Sequence, residues 1–183
     1  GLIVIAIHNR SVDMLLKWIN SKSKTTTLYK KIKNKTLDSF VKNEREKNNN
    51  ETYETGVSGV RKIFKSLLSK NVICLAADQV PQPGMGEYVK FFNRDAYTTT
   101  LASSLAYKTG KPVIYCSMNS DNNNNLFVSI KPCHESIYND SKRLLSMNNS
   151  IENLININPK DYSWEYKRFK RAQQKNIDPY LKA

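Results

Sequence analysis

Leu2-Ile3-Val4-Ile5-Ala6-Ile7-His8-Asn9-Arg10-Ser11-Val12-Asp13 opens the chain, and the reading of this stretch decides the fold. Six consecutive apolar residues, most of them β-branched, make the pattern of an interior strand covered on both faces. Ser11 then offers a helix cap, and Val12, Leu15, Leu16 and Ile19 recur at helical spacing. His8 falls where the strand ends, and Asp13 falls in the first turn of the helix. A fold rarely begins on an interior strand, so the abrupt opening leads us to expect a further segment upstream of Gly1.

Working outward, the same alternation of strand and helix continues. Thr25 to Tyr29 reads as a second strand. A helix follows from about Lys35 to Lys47, with Leu37, Phe40 and Val41 expected to face inward. Asn48 to Glu54 reads as a polar loop. Val57 to Ser69 is amphipathic, with Val60, Ile63, Phe64, Leu67 and Leu68 on one face, and leads into the apolar strand Val72 to Ala77. Pro81, Pro83, Gly84 and Gly86 make a loop at the C-terminal end of that strand, where α/β sheets carry their sites. Thr98 or Thr99 is expected to start a helix that Gly110 ends, before the strand Val113 to Met118. A hairpin-like loop, a strand from Leu126 to Lys131 and a last long helix from Ser141 to Ile157 complete the series. The expectation is an α/β sandwich, a central and largely parallel sheet flanked by helices, forming one domain over residues 1–183.

Composition narrows the function classes. The 29 Lys and Arg against 16 Asp and Glu give a formal charge of +13, which calls for an acidic partner such as an anionic membrane, a phosphorylated substrate, an acidic protein or nucleic acid. Three cysteines without CxxC spacing and only two histidines make a histidine-rich zinc site hard to assemble. No apolar run reaches the ~18 residues that span a bilayer.

The residues that can do chemistry cluster at strand ends. With four residues between His8 and Asp13, the carboxylate can turn back to accept from one imidazole nitrogen and leave the other free to take a proton from an alcohol. The spacing alone leaves open the alternative that Asp13 complements the helix dipole and His8 is a satisfied buried histidine. Arg45 and Arg61 are candidates to grip phosphate, because a guanidinium binds phosphate oxygens in bidentate fashion, although either can equally be part of a solvated helix face. Asp78 and Gln79 follow a buried strand and either order a site, line an acceptor pocket or cap the turn through Pro81. Arg168, Lys170 and Arg171, interleaved with Trp164, Tyr166 and Phe169, suit membrane headgroups or an acidic carrier protein. The competing view of this tail is plain surface charge around a core-packing Trp164. His134 is read as a surface residue.

Several blocks in one order resemble the bacterial lipid A biosynthesis acyltransferases, the late lauroyl and myristoyl transferases related to glycerolipid acyltransferases. His8 to Asp13 matches their His-X4-acidic motif, and Tyr29-Lys30-Lys31-Ile32-Lys33-Asn34-Lys35-Thr36-Leu37-Asp38, continuing to Arg45, matches a second block. Gly59-Val60-Arg61 with Leu67-Leu68 matches the next helix. Ala77-Asp78-Gln79-Val80-Pro81, Gly86 and Phe91-Phe92-Asn93-Arg94 resemble an Asp-Gln loop and a Phe-Phe-Gly segment. Thr98-Thr99, Thr109-Gly110-Lys111-Pro112-Val113 and Pro159-X2-Tyr162-X-Trp164-X3-Arg168-Phe169-Lys170 complete the series. The chain departs from the pattern at Asp13, where the lipid A branch usually carries Glu, and at Asn93, where Gly is commoner.

The resemblance implies an O-acyltransferase of glycerolipid-acyltransferase-like fold, without cofactor, working at the cytoplasmic side of a bacterial inner membrane. His8 would be the general base and Asp13 its orienting carboxylate. Arg45, Arg61, Asp78, Gln79 and Arg168 would bind substrate. The implied partners are acyl carrier protein as donor, a lipid A precursor as acceptor and the anionic membrane surface, with no nucleic acid, and the family's N-terminal anchor is expected upstream of Gly1. Two alternatives stand beside it: transfer to another phospholipid or glycolipid acceptor, and a non-enzymatic basic module that binds nucleic acid.

Overall fold

The computed structural model describes residues 1–171 together with 179 and 180, so the last stretch of the expected 1–183 domain lies outside the described residues. In chain order the strands are β1 (Leu2–Ala6), β2 (Thr25–Tyr29), β3 (Glu51–Glu54), β4 (Val72–Ala76), β5 (Gly86–Phe91), β6 (Arg94–Thr99), β7 (Val113–Ser120) and β8 (Leu126–Pro132). The helices are α1 (Val12–Lys22), α2 (Lys35–Arg45), α3 (Val57–Leu68), α4 (Leu101–Thr109) and α5 (Arg143–Ile155). Six strands form one sheet in the order β3-β2-β4-β1-β7-β8, parallel throughout except for the last pair. The expected mixed α/β architecture, a mostly parallel sheet flanked by helices, is the one observed.

Local chemistry explains most of the boundaries. The Ser11 hydroxyl accepts from the Met14 amide to cap α1, and the Asn34 side chain accepts from the Leu37 amide to cap α2. Gly110, at φ 60°, ends α4 in the left-handed conformation that glycine reaches without steric cost. On α3, a Cβ at Gly59 would collide with the Glu54 carbonyl, so the helix packs close to the end of β3 only because that residue is glycine.

Two elements differ from expectation. The polar stretch read as a loop contains β3, which pairs in parallel with β2 at the sheet edge through the register Thr27↔Thr52. An edge strand needs fewer apolar residues than an interior one, and Thr52 and Tyr53 suit extended backbone, so charge at Glu51 and Glu54 disguises it. The residues before α4 form a β5–β6 hairpin instead of a loop and an earlier helix start. Its two-residue turn places Phe92 at φ 46° and Asn93 at φ 58°. Such turns favour Asn or Gly, which is why Asn93 can stand where glycine is commoner.

The sheet separates two cores. Ile3, Ile5, Ile7, Ile73, Leu75 and Tyr115 bury one face against α3, α4 and α5, whose Ile63, Leu67, Leu105, Met147 and Ile151 meet them. Val4, Ala6, Cys74, Cys116 and Met118 bury the other face under Leu15, Leu16 and Ile19 of α1. Successive side chains of a strand alternate between faces. Carrying that alternation past Ala6 and Ala76 turns His8 and Asp78 toward the α1 side. The chain leaves β1 toward β2 and leaves β4 toward β7, in opposite directions, so a crevice opens above the C-terminal ends of these adjacent strands.

Candidate active site

β1 and β4 run parallel in the register Ile5↔Leu75 and Ala6↔Ala76. Two residues further on, each strand delivers its chemistry to the same level, His8 from one and Asp78 from the other. His8 Nδ1 lies 2.9 Å from Asp78 Oδ1, and the His8 backbone amide donates to Asp78 Oδ2 at 2.9 Å. A carboxylate only accepts, so this contact fixes the proton of the neutral ring on Nδ1 and leaves Nε2 as the acceptor. Nε2 has no hydrogen-bond partner among the described residues. The Asp78 side chain is 0% exposed and that of His8 28%, so the pair is anchored inside and open outward. Burial disfavours the charged imidazolium, but the bond to Asp78 and its negative charge outweigh that, and the His8 pKa lies above its ordinary 6.5.

Asp13 does not play the part expected of it. Its Oδ1 accepts from Arg45 Nε at 3.0 Å and from Arg45 Nη2 at 2.7 Å, while the imidazole is held by Asp78. The reason is positional: Asp78 stands beside His8 on the neighbouring strand, whereas Asp13 lies on the outer side of the first turn of α1, where the long Arg45 side chain reaches it. Both partners still act on His8 through space, Arg45 lowering and Asp13 raising its pKa. Asp13 and Arg45 line a groove of about 200 Å³ between α1 and α2, floored by Leu16 and walled by Phe40 and Val41.

A strap from Pro159 to Arg168 holds the site from the other side. The Ser163 amide donates to the His8 carbonyl at 3.1 Å, and Asn9 and Tyr162 form an isolated antiparallel bridge. The Asp161 carbonyl accepts from the Arg10 amide at 2.8 Å, and the Asp161 carboxylate pairs with the Arg10 guanidinium at 3.3 Å. These contacts retain Arg10 at φ 51°, a conformation that costs a non-glycine residue about 1–2 kcal/mol and here turns the chain from β1 into α1. The same carboxylate accepts from the Ser120 amide at 2.6 Å, which ties the end of β7 to the turn after β1. On the other loop, the Val80 amide donates to the Tyr166 hydroxyl at 2.9 Å.

The strap also overturns the expected role of Arg168. Instead of presenting its charge to headgroups, Arg168 is buried, donating to the Tyr97 carbonyl at 2.8 Å and to Thr98 Oγ1 at 2.7 Å with its guanidinium 4.9 Å from the Phe91 ring centre. Trp164 is exposed, so the competing view of this tail, with Trp164 packed in the core, does not hold either. The interleaving of charges and rings in this segment cannot tell inside from outside, because the segment folds as a run of turns with no regular face. Arg61 is on the exposed face of α3, away from the His8–Asp78 pair in sequence and without an ion pair among the described residues. Gln79 is half-buried beside Asp78. His134 is exposed, as expected, and its ring accepts from the Ser136 amide.

Sequence reasoning missed Asp161 and the buried Asn9–Asn119 contact, at 2.6 Å, that locks the turn after β1 to β7. It also set Asp78 among the substrate contacts. One signal was available: two apolar runs of equal length, Leu2 to Ile7 and Val72 to Ala77, are each followed at once by a titratable side chain, as paired parallel strands of a site are. No group of three or more His, Cys, Asp or Glu side chains suited to a metal occurs among the described residues. No helix among them is long and apolar enough to cross a membrane.

The pair can serve as a positioned base. Asp78 holds the ring in one tautomer and stabilises the imidazolium that forms when Nε2 takes a proton from a hydroxyl in the crevice. Among curated proteins, none matches the chain. A family model does: residues 1–171 match bacterial lipid A biosynthesis acyltransferase, a range that includes His8, Asp78 and the whole strap. The chain therefore belongs to the bacterial lipid A biosynthesis acyltransferase family.

Proposed function

We propose that this protein moves a fatty acyl chain from an acyl carrier protein thioester to a hydroxyl of a lipid A precursor at the cytoplasmic face of the inner membrane. Its family makes it an acyltransferase of lipid A biosynthesis. The observation that supports the mechanism is the buried Asp78 carboxylate on Nδ1 of a partly exposed His8, at the crevice between β1 and β4. In this reading His8 Nε2 removes the hydroxyl proton as the oxygen attacks the thioester carbon. The tetrahedral oxyanion collapses, the carbon–sulfur bond breaks, and the imidazolium returns the proton to the carrier thiol. Asp78 orients the ring in place of Asp13, and Asp13 instead steadies Arg45 near the site, where the guanidinium can meet a substrate phosphate.

A positioned base contributes roughly 10² to 10⁴ in rate. The test is transfer from acyl carrier protein thioesters of several chain lengths to a tetraacylated disaccharide precursor, read by product mass. The expected result is acylated product with the unaltered protein and none above background with His8→Ala. Transfer by His8→Ala at the unaltered rate would overturn the mechanism.

A further inference from the structure

α2 is a helix with an apolar side that the core does not use. Of its eleven residues, Asp38 is the buried one, and it serves the backbone by accepting from the Ile32 amide at 2.8 Å. Leu37 and Phe40 are 49% and 62% exposed, and Val57, the first residue of α3, is 69% exposed. α2 is the element after β2 and α3 the element after β3, and both strands run parallel to β1 through β4, so the starts of these helices, with Leu37 and Val57, lie at the end of the sheet that carries His8. Phe40 also walls the groove that begins at the Asp13–Arg45 pair.

Basic side chains surround the same end. Lys30, Lys33 and Lys35 are exposed, and none has an ion pair among the described residues. The nearby acids are already engaged: Glu54 by Lys31 at 3.0 Å, Asp13 by Arg45, and Glu44 by Lys17 and Lys47. Exposed large apolar residues set among unpaired lysines suit one partner better than others. An acidic protein would answer the lysines but not a Phe standing clear of the surface, whereas an anionic bilayer answers both, taking the apolar side chains into the acyl boundary and the lysines at the headgroups.

We propose that α2 and the start of α3 form the surface by which this protein sits on an anionic membrane, with Leu37, Phe40 and Val57 inserted and Lys30, Lys33 and Lys35 at the headgroups. This rests on the reading of the site as one that acts on a lipid, and it gives that site a direction: the crevice at His8 faces the leaflet from which a lipid hydroxyl must enter. It also moves the membrane surface away from the basic aromatic tail, whose Arg168 is buried.

The test is flotation of the full chain with vesicles of phosphatidylethanolamine and phosphatidylglycerol, against vesicles of phosphatidylcholine alone. The unaltered protein is expected to float with the anionic vesicles, less so at high salt. Leu37→Ser/Phe40→Ser is expected to lower the bound fraction on the order of tenfold or more, because each large apolar side chain contributes about that much to partition. Lys33→Glu/Lys35→Glu should act on anionic vesicles alone, and Lys65→Glu/Lys108→Glu, in the last turns of α3 and α4 at the other end of the sheet, should act on neither. Unchanged flotation of the Leu37/Phe40 variant overturns the proposal. So does a Lys33/Lys35 variant that keeps vesicle binding and loses acyl carrier protein. His8→Ala should float like the unaltered protein, whereas an unaltered chain that floats through this face and transfers no acyl group refutes the acyltransferase reading and leaves the surface standing.

Discussion

The end of β1 and the helix α2 lie at the same end of the sheet, yet they are built in opposite ways. Around His8 every neighbour is tied to another element: Asp78 to the ring and its backbone, Ser163 to its carbonyl, Asn9 to Asn119, and Arg10 to Asp161. α2 touches the body through Asp38, Val41, Glu44 and Arg45, and it presents Leu37 and Phe40 outward. A base must be held to within a fraction of an ångström to act, while a surface that meets a fluid partner needs composition more than position. Substitutions in the two regions should therefore fail in different assays.

The largest contrast is expected at His8. His8→Ala should lower acyl transfer by roughly 10² to 10⁴ with the fold retained, as circular dichroism and a thermal melt will check. Leu37→Ala, outside the groove at Arg45, should leave transfer from detergent-dispersed substrate near the unaltered value.

Asp78→Asn comes next, with an expected loss in kcat approaching the ~10⁴ seen when the carboxylate of a comparable triad is neutralised. It carries a signature that a folding defect does not have. The His8 pKa lies above 6.5 because of Asp78, and the base works when neutral, so activity should rise with pH through a midpoint above 6.5. In Asp78→Asn that midpoint should fall. The stability linkage runs the other way. A raised folded-state pKa stabilises the fold most below about pH 6.5, and this contribution fades as pH climbs through the folded value, a trend that melts at several pH values will reveal.

Packing gives the third contrast. Ile151→Ala or Leu67→Ala, both fully buried, should cost about 2–5 kcal/mol by chemical denaturation, and Leu37→Ala should stay within about 0.5 kcal/mol.

The smallest effect is expected at Asp13. Its pairing with Arg45 is largely exposed, and an exposed ion pair is worth about 0–1 kcal/mol, screened by salt. Asp13→Asn should therefore leave the pH midpoint almost unmoved and raise KM for the phosphorylated acceptor severalfold. A collapse of kcat equal to that of Asp78→Asn would restore Asp13 as the orienting carboxylate.

Much of this was legible in the residues. The unbroken apolar runs gave away interior parallel strands, the cap at Ser11 and the stop at Gly110 set helix ends, and His8 was placed correctly at a strand terminus. Three strands were missed because their signals are weak in isolation: β3 carries glutamates at both ends, and the β5–β6 hairpin hides its turn in Phe92-Asn93, which reads as part of a hydrophobic stretch until both positive φ angles are seen.

Sequence determined what depends on near neighbours: the alternation of strands and helices, the sheet class, the place of His8 after a strand, and the family. It could not determine which carboxylate meets the imidazole, because Asp13 is five residues from His8 along the chain and Asp78 is seventy away, and only the register between β1 and β4 makes the distant one adjacent. The burial of Arg168 and the outward apolar side of α2 were decided in the same way. Periodicity reports that a segment has two faces, but which face meets protein is fixed by elements far away in the chain, and only the assembled sheet brings those into contact.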